Sequence, residues 1–352
     1  MSNSIPTEKS SERYGLANIA LHWWAILITI VTFVLLCSGG LVTSKGVGMS
    51  VPDWPTTYGY NMFLFPVSKW VGGIFYEHSH RLLGSLVGFL VLTYTIACFI
   101  LEKRAWMKTF AVCLLIGVVI QGFLGGFRVV LNQNQIGIIH ALAAQTFFAA
   151  CAILCVVTGR AFWERRWADY DLNPAPRRWA ILATVLIFAQ LLIGATMRHE
   201  HIGLSIMDFP LAYGSVIPDT SPAALDAINQ TRAEVGLMQI TAVHIWVHMA
   251  HRLMAVVIFA AVLAFFLAAR KAPRATRLWS TIWLGLIIIQ IGLGAWTVWS
   301  QKAADVATAH MALGALILIV GVVLSFRLIL GSRAENFRLP DMMSQPSVQG
   351  IA

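Results

Sequence analysis

The chain has 352 residues, of which 58% are hydrophobic and 12% charged, and its mean hydropathy is +0.73. Soluble domains carry about 25% charged residues, so this composition excludes a soluble globular protein and indicates a polytopic membrane protein. The formal net charge of +9 reflects a one-sided distribution of Lys and Arg in the loops, and no nucleic-acid partner is read from it.

Residues 1–16 read as a polar, basic N-terminal tail. Eight apolar stretches then reach the ~20 residues needed to cross a bilayer. They fall near 17–42, 73–101, 107–131, 136–159, 179–197, 239–269, 278–300 and 305–331. Backbone polar groups in lipid must be satisfied within the segment, so each is expected to be a helix. The first stretch follows a basic leader, as a signal peptide does. It is too long for an h-region and lacks a small-x-small cleavage site, so a retained span is expected.

Lys and Arg set the expected orientation. The ends that include Lys103, Arg160, Arg270 and Arg327 hold 17 of these residues, and the opposite side holds 6 (Lys45, Lys69, Arg128, Arg198, Arg232 and Lys302). Both termini are therefore expected in the cytoplasm, in a bacterial-type inner membrane. Cys37, Cys98, Cys113, Cys151 and Cys155 all lie in apolar spans, so no exported disulfide is expected.

The chain repeats itself. Gly48-Met49-Ser50-Val51-Pro52-Asp53-Trp54-Pro55, continuing to Tyr58-Gly59, recurs 155 residues later as Gly203-Leu204-Ser205-Ile206-Met207-Asp208-Phe209-Pro210, continuing to Tyr213-Gly214. His80-Arg81 recurs as His251-Arg252. Gln121, Leu124, Gly125 and Val129 recur as Gln290, Leu293, Gly294 and Val298, and His140 recurs as His310. Repeats this long point to duplication. The expected fold is an all-α membrane protein of eight transmembrane helices, arranged as two duplicated four-helix bundles in parallel repeats. The expected units are an N-terminal bundle over 17–160, a cytoplasmic linker over 161–178, a C-terminal bundle over 179–331 and a cytoplasmic tail over 332–352. The outer loops near 43–72 and 198–238 are rich in Gly, Pro and aromatic residues. They read as ordered caps over the bundles.

His80 and His140 are 60 residues apart and His251 and His310 are 59 apart, each pair inside apolar sequence. An ionisable side chain within a span is costly and marks function. Two imidazoles from two helices suit one metal centre per half, and haem iron accepts axial His from both faces of a flat macrocycle. Zinc fits less well, because each site offers two His without a Cys or carboxylate partner. All four histidines fall in the outer half of their spans, near helix N-termini whose partial positive charge favours haem propionates.

Glu77 precedes His80 by three residues and shares its helix face. It reads as a proton donor or acceptor, as a partner orienting the imidazole, or as a hydrated interfacial group. His248 stands at the matching place before His251. The halves therefore share a scaffold and differ in one acid/base group. Arg81 and Arg252 read equally as propionate partners, as partners of Asp53 and Asp208, or as structural bridges. His78 turns away from the His80 face. His244 and His248 share the His251 face and are candidates to line the second pocket. His199 and His201 flank Glu200 in an outer loop and are expected to be exposed. His22, beside Trp23 and Trp24, reads as an interface anchor.

At these residues the chain resembles the haem A synthase family. The resemblance rests on Gly39-Gly40-Leu41-Val42-Thr43, Pro52-Asp53-Trp54-Pro55, Glu77-His78-Ser79-His80-Arg81, the Gln121-Gly122-Phe123-Leu124-Gly125-Gly126 stretch and their echoes in the second half. It spans about residues 15–330. It implies oxidation of a methyl substituent of haem O to the formyl group of haem A for terminal oxidase biogenesis. By the resemblance, His80 and His140 hold the substrate haem, Glu77 serves as acid/base, and His251 and His310 hold a haem b. The implied partners are haem O in the lipid bilayer, with room for its synthase and for a homo-oligomer, and no electron donor is named. Some family members carry a cysteine pair in an outer loop and this chain has none there. The competing expectation is a non-catalytic transmembrane electron carrier with two permanent b-type haems. It requires equivalent sites spread over both membrane faces, whereas all four histidines favour one. A parallel-repeat transporter would show broken helices with ionisable residues at the midplane, and the spans show neither clearly.

Overall fold

The computed structural model describes residues 15–164 and 174–343, with side chains described as far as Gly331. In chain order the helices are α1 (Leu16–Ser44), α2 (Gly72–Leu101), α3 (Ala105–Leu131), α4 (Asn134–Thr158), the single-turn α5 (Arg160–Trp163), α6 (Pro174–His199), the outer-loop helix α7 (Pro222–Glu234), α8 (Ala242–Ala268), α9 (Arg274–Trp299) and α10 (Ala304–Met343). Eight of these are long and apolar enough to cross a membrane. Among the described residues there is no strand, and only two isolated bridges occur, Thr57 with Tyr60 and Ala212 with Ser215.

The expected spans and the helices agree within a few residues, except at two ends. Helix α6 begins at Pro174, where the sequence pattern starts a span at 179. Proline lacks only an N–H that a first turn leaves unpaired, and Arg177 and Arg178 extend the helix beyond its apolar stretch. Helix α10 continues to Met343, past the apolar run that ends near 331. Hydropathy marks where apolar sequence stops, not where a helix stops. Lys9, Arg13, Arg165 and Arg166 of the charge argument lie outside the described residues.

Helix α1 packs on α2 and α4, and α3 closes a ring between those two. Helix α6 packs on α8 and α10, and α9 closes a second ring. Each ring has its own core. Leu21, Ile28, Val91, Tyr94, Met107 and Leu154 fill the first, and Ile187, Ile258, Phe265, Trp283, Ile317 and Leu318 fill the second. The rings meet where α10 lies along α1 and α4, and where α4 meets α6. Small residues bring these backbones together, as in other membrane bundles. A Cβ on Gly40 would meet Met311 Cε at 2.5 Å and Thr308 Cγ2 at 3.0 Å. The Ser44 hydroxyl lies 3.0 Å from that of Thr308, and the Arg198 guanidinium donates to Gly40 O and Ser44 Oγ.

The outer loops are ordered, and they are built alike. Tyr58 and Gly59 take φ of 50° and 77°, and Tyr213 and Gly214 take 55° and 76°. A turn with two positive φ angles is costly for a Tyr. An aspartate compensates by accepting both turn amides. Tyr58 N and Gly59 N donate to the Asp53 carboxylate at 2.7 and 2.9 Å. Tyr213 N and Gly214 N donate to Asp208 at 2.8 and 2.9 Å. The tyrosine hydroxyls donate back to Ser50 O and Ser205 O. Burial works against the ionised form of Asp53, but the hydrogen bonds from Gly59, Thr56 and Tyr58 outweigh it and hold the carboxyl below its ordinary range. Asp208 is lowered in the same way, the bonds from Gly214 and Tyr213 outweighing its burial. Over the second bundle, Leu225 and Ile228 of α7 pack on a small core of Ile206, Ala212, Ile240, Ile245 and Met249.

Candidate functional site

Each of the four repeated histidines faces a glycine on a neighbouring helix. A Cβ on Gly39 of α1 would meet His80 Cε1 at 2.8 Å, and one on Gly125 of α3 would meet His140 Cε1 at 3.4 Å. In the second ring, Gly194 of α6 stands 3.4 Å from His251 Cε1 and Gly294 of α9 stands 3.2 Å from His310 Cε1 by the same measure. The glycines leave a slot one ring thick against the helix backbone, and the imidazole edge occupies it. A glutamine four residues before three of these glycines fixes the facing helix. Gln190 donates to His251 O at 2.8 Å and Gln290 to His310 O at 2.9 Å. With its amide oriented to satisfy both ends, Gln121 donates to His140 Nδ1 at 3.0 Å and to His140 O at 3.2 Å. In the fourth case the matching residue is Leu35, so His80 has no such glutamine. Sequence patterning had marked Gln121, Gln290, Gly125 and Gly294 as repeated without assigning them a task. The Gln-x-x-x-Gly spacing at 121, 190 and 290 was the available signal.

The ring centres of His251 and His310 are 6.4 Å apart, at an interplanar angle of 62°. Two imidazoles on opposite sides of one metal, with metal–nitrogen bonds of about 2 Å, place their centres roughly 6 Å apart. The Nδ1 atom of His251 is buried without a hydrogen-bond partner. Among the described residues no three His, Cys, Asp or Glu side chains gather into one cluster. Paired imidazoles without further donors fit the two axial positions of an iron porphyrin, because the macrocycle supplies the other four. His80 and His140 are close enough to interact electrostatically.

Glu77 makes no hydrogen bond to His80, and it is buried rather than interfacial. It is 3% exposed. Its Oε1 pairs with Arg81 at 2.8 Å and its Oε2 accepts Val51 N at 2.9 Å. Arg81 also donates to Val51 O, Asp53 O and Thr56 O at 2.7, 2.6 and 3.0 Å. Arg252 repeats this grip with bonds to Asp208 O at 2.6 Å and Leu211 O at 2.8 Å. Neither arginine meets the Asp53 or Asp208 carboxylate. Of the three readings of these arginines, the structural bridge is the one built: they take main-chain carbonyls because the carboxylates are spent on the turn amides. His248 stands in for Glu77, its Nδ1 accepting Ile206 N at 3.3 Å.

The remaining histidines separate. His78 is buried against Trp70 and Phe65 and bonds Thr57 Oγ1 at 3.2 Å. His244 Nδ1 accepts Thr241 N at 3.3 Å and closes the first turn of α8. His22 bonds Thr158 Oγ1 at 3.0 Å. His199 departs most from expectation. It ends α6, is only 7% exposed, and lies against Gly137 of α4. The contact between α4 and α6 encloses it, whereas its neighbour His201 is exposed.

Residues 22–322 match the model of the COX15-CtaA family, described as cytochrome oxidase assembly protein. The chain belongs to this family. The heme A synthase of Geobacillus kaustophilus (strain HTA426) is 27% identical, over 83% of this chain and 86% of the relative. The heme A synthase of Caulobacter sp. (strain K31) is 23% identical, over 86% and 94%. The heme A synthase of Nitrosomonas eutropha is 25% identical, over 90% and 95%. As in the rest of the cytochrome oxidase assembly family match, the four histidines, Glu77 and both loop clamps fall inside the matched region.

Proposed function

We propose that this membrane protein is a haem A synthase, which oxidises a methyl substituent of haem O to the formyl group of haem A. The N-terminal bundle receives the substrate between His80 and His140, and the C-terminal bundle holds a haem b between His251 and His310. The observation that carries this reading is the repeated pairing of two intramembrane imidazoles, each slotted against a glycine, in a chain whose similar proteins are named heme A synthase. The termini are assigned to the cytoplasm and the loop caps to the outer side of a bacterial-type inner membrane.

Conversion of a methyl to a formyl group withdraws four electrons and, written with water as the oxygen donor, releases four protons. When bound, a haem between His251 and His310 supplies one-electron redox chemistry. The protein's own part is positioning and proton handling. Gln121 and Gly125 orient His140, and Gly39 sets the His80 ring. Glu77, three residues before His80, accepts a proton at its carboxylate, and its link to Arg81 and Val51 fixes where that carboxylate points.

The test is co-expression with a haem O synthase in a host that makes no haem A, followed by pigment extraction, chromatography and mass spectrometry. Haem A is expected only with the intact chain. Bound haem b with no haem A under aerobic growth would replace this reading with an electron carrier.

A further inference from the structure

Between the outer ends of α1, α3, α4 and α6 lies a cleft enclosing about 550 Å³ of space, part of it continuous with the exterior. Its polar lining includes Arg128, His199, His201, Asn132, Gln133 and Asn134, and no acidic residue contributes to it. Arg128 and His199 converge at one point, the face of Gly137. A Cβ there would meet His199 Nδ1 at 2.6 Å and Arg128 Nε at 3.0 Å. A Cβ on Gly48 would meet the other side of the same guanidinium, Nη1, at 2.8 Å. Two glycines thus leave room for Arg128.

Neither Arg128 nor His199 makes a hydrogen bond or salt bridge to any described residue, although His199 is more than nine-tenths buried. Both side chains line the cleft, so a carboxylate entering it meets two neighbouring donors that no acceptor among the described residues has claimed. Glu77, which interacts electrostatically with Arg128, is spent on Arg81 and Val51, and Glu200, next to His199 in sequence, does not line the cleft. Gly137 precedes His140 by three residues, so the two donors stand about one helical turn outward of that histidine, on its face of α4.

The second bundle lacks this arrangement. The residue matching Arg128 is Thr297 and the residue matching His199 is Ser44. The donors therefore serve the N-terminal bundle alone, and one of them is lent by the C-terminal half.

We infer that Arg128 and His199 form a carboxylate-binding site that anchors a propionate of the porphyrin held by His80 and His140. This rests on the proposed function, since it deepens the same site. Arg128 forks onto the carboxylate as a charge-assisted donor, His199 adds a ring N–H, and the amides of Asn132 and Asn134 border the cleft. Arg81 is already held by loop carbonyls and Glu77, and Arg252 stands over the second bundle.

The full-length protein, carrying haem in its C-terminal bundle, is titrated with iron protoporphyrin IX and separately with its dimethyl ester, which lacks the charged carboxylates. Binding is followed by the part of the optical change that His80→Ala abolishes. The unsubstituted protein is expected to prefer the diacid roughly tenfold or more. Arg128→Gln should weaken the diacid roughly tenfold to a hundredfold and leave the ester unchanged. Arg128→Lys should recover part of the loss, and His199→Gln should show a smaller loss of the same kind. An unchanged spectrum of the His251–His310 haem checks that each variant is folded. Equal affinity for diacid and ester, or equal weakening of both by Arg128→Gln, overturns the inference while leaving the proposed function standing. Competition by millimolar acetate against the ester as well as the diacid marks a free-anion site and also overturns it. Absence of any His80-dependent porphyrin binding in the unsubstituted protein defeats the proposed function itself.

Discussion

The two bundles hold their outer loops with an Asp–Tyr–Gly turn and an arginine on main-chain carbonyls, and they differ most at the residue three before the candidate ligand. In the first, a carboxylate accepts Val51 N and also pairs with the arginine one turn on. In the second, an imidazole accepts Ile206 N, and Arg252 has no acidic partner on its own helix. In the second bundle a neutral acceptor holds the loop together with Arg232, which donates to Leu204 O and Met238 O. Glu77 thus gives the first bundle a carboxylate where the second has an imidazole, three residues before a candidate iron ligand. The same asymmetry recurs at Arg128 and His199, whose matching residues in the repeat are Thr297 and Ser44. Under the proposed function, this difference places the reaction in the first half and the supporting haem in the second.

The largest expected effect breaks the comparison outright. His251→Ala or His310→Ala should empty the second bundle of haem while leaving porphyrin binding at the first. His80→Ala or His140→Ala should do the reverse. Haem-to-protein stoichiometry with the optical spectrum of each variant measures this. Loss of haem from both bundles with any single change would show that the bundles are not independent sites.

Next in size is the clamp. Glu77→Gln keeps an acceptor for Val51 N but removes the charge, so haem A formation should fall by roughly 10²–10⁴-fold with the second haem still bound. Glu77→Ala removes both contacts and strands Arg81, and breaking a buried pair costs about 3–5 kcal/mol. Thermal unfolding should therefore separate the two variants. His248→Gln, the matching change in the other half, should leave turnover within a few-fold, because only the Ile206 contact is at stake. If His248→Gln and Glu77→Gln impair turnover equally, the assignment of chemistry to one half fails.

Much of this arrangement is legible in the sequence, and the exceptions share a cause. The eight spans follow from hydropathy, and the four histidines and both Asp–Tyr–Gly loops follow from repetition. Helical spacing puts Glu77 and His248 on the face of their neighbouring histidines. It does not say that a loop amide descends onto each of them, since that contact joins residues 26 and 42 positions apart. His199 was misjudged for the same reason. Glu200 and His201 beside it are polar, and only the approach of α4 to α6 buries it. The glycines facing the four histidines were visible as letters, but their task depends on which helix stands opposite.

That cross-helix spacing yields a smaller and more graded effect. Gly39→Ala would put a Cβ 2.8 Å from His80 Cε1, whereas Gly194→Ala would put one 3.4 Å from His251 Cε1. The first distance forces the ring to move and the second is ordinary contact. Gly39→Ala should weaken porphyrin binding in the first bundle, and Gly194→Ala should leave the second haem's spectrum nearly unchanged. A comparable disturbance from both would mean that the four slots have equal tolerance.

The smallest effect expected near neutrality concerns the turns, where the halves should behave alike. An aspartate whose folded pKa lies below its unfolded value of about 3.9 contributes stability that is complete above that value. The contribution disappears as pH falls through the lowered folded value. Asp53 and Asp208 are both lowered, by hydrogen bonds from the turn amides that outweigh burial. Protection of the Tyr58, Gly59, Tyr213 and Gly214 amides, corrected for intrinsic exchange, should therefore stay flat between about pH 7 and 5 and decline only below about pH 4. Asp53→Asn should abolish that acid-side decline in the first loop and leave it in the second. A decline already present at pH 6 would implicate a histidine instead. His78 is the candidate beneath the first loop, through its contact with Thr57, and His248 beneath the second, through Ile206.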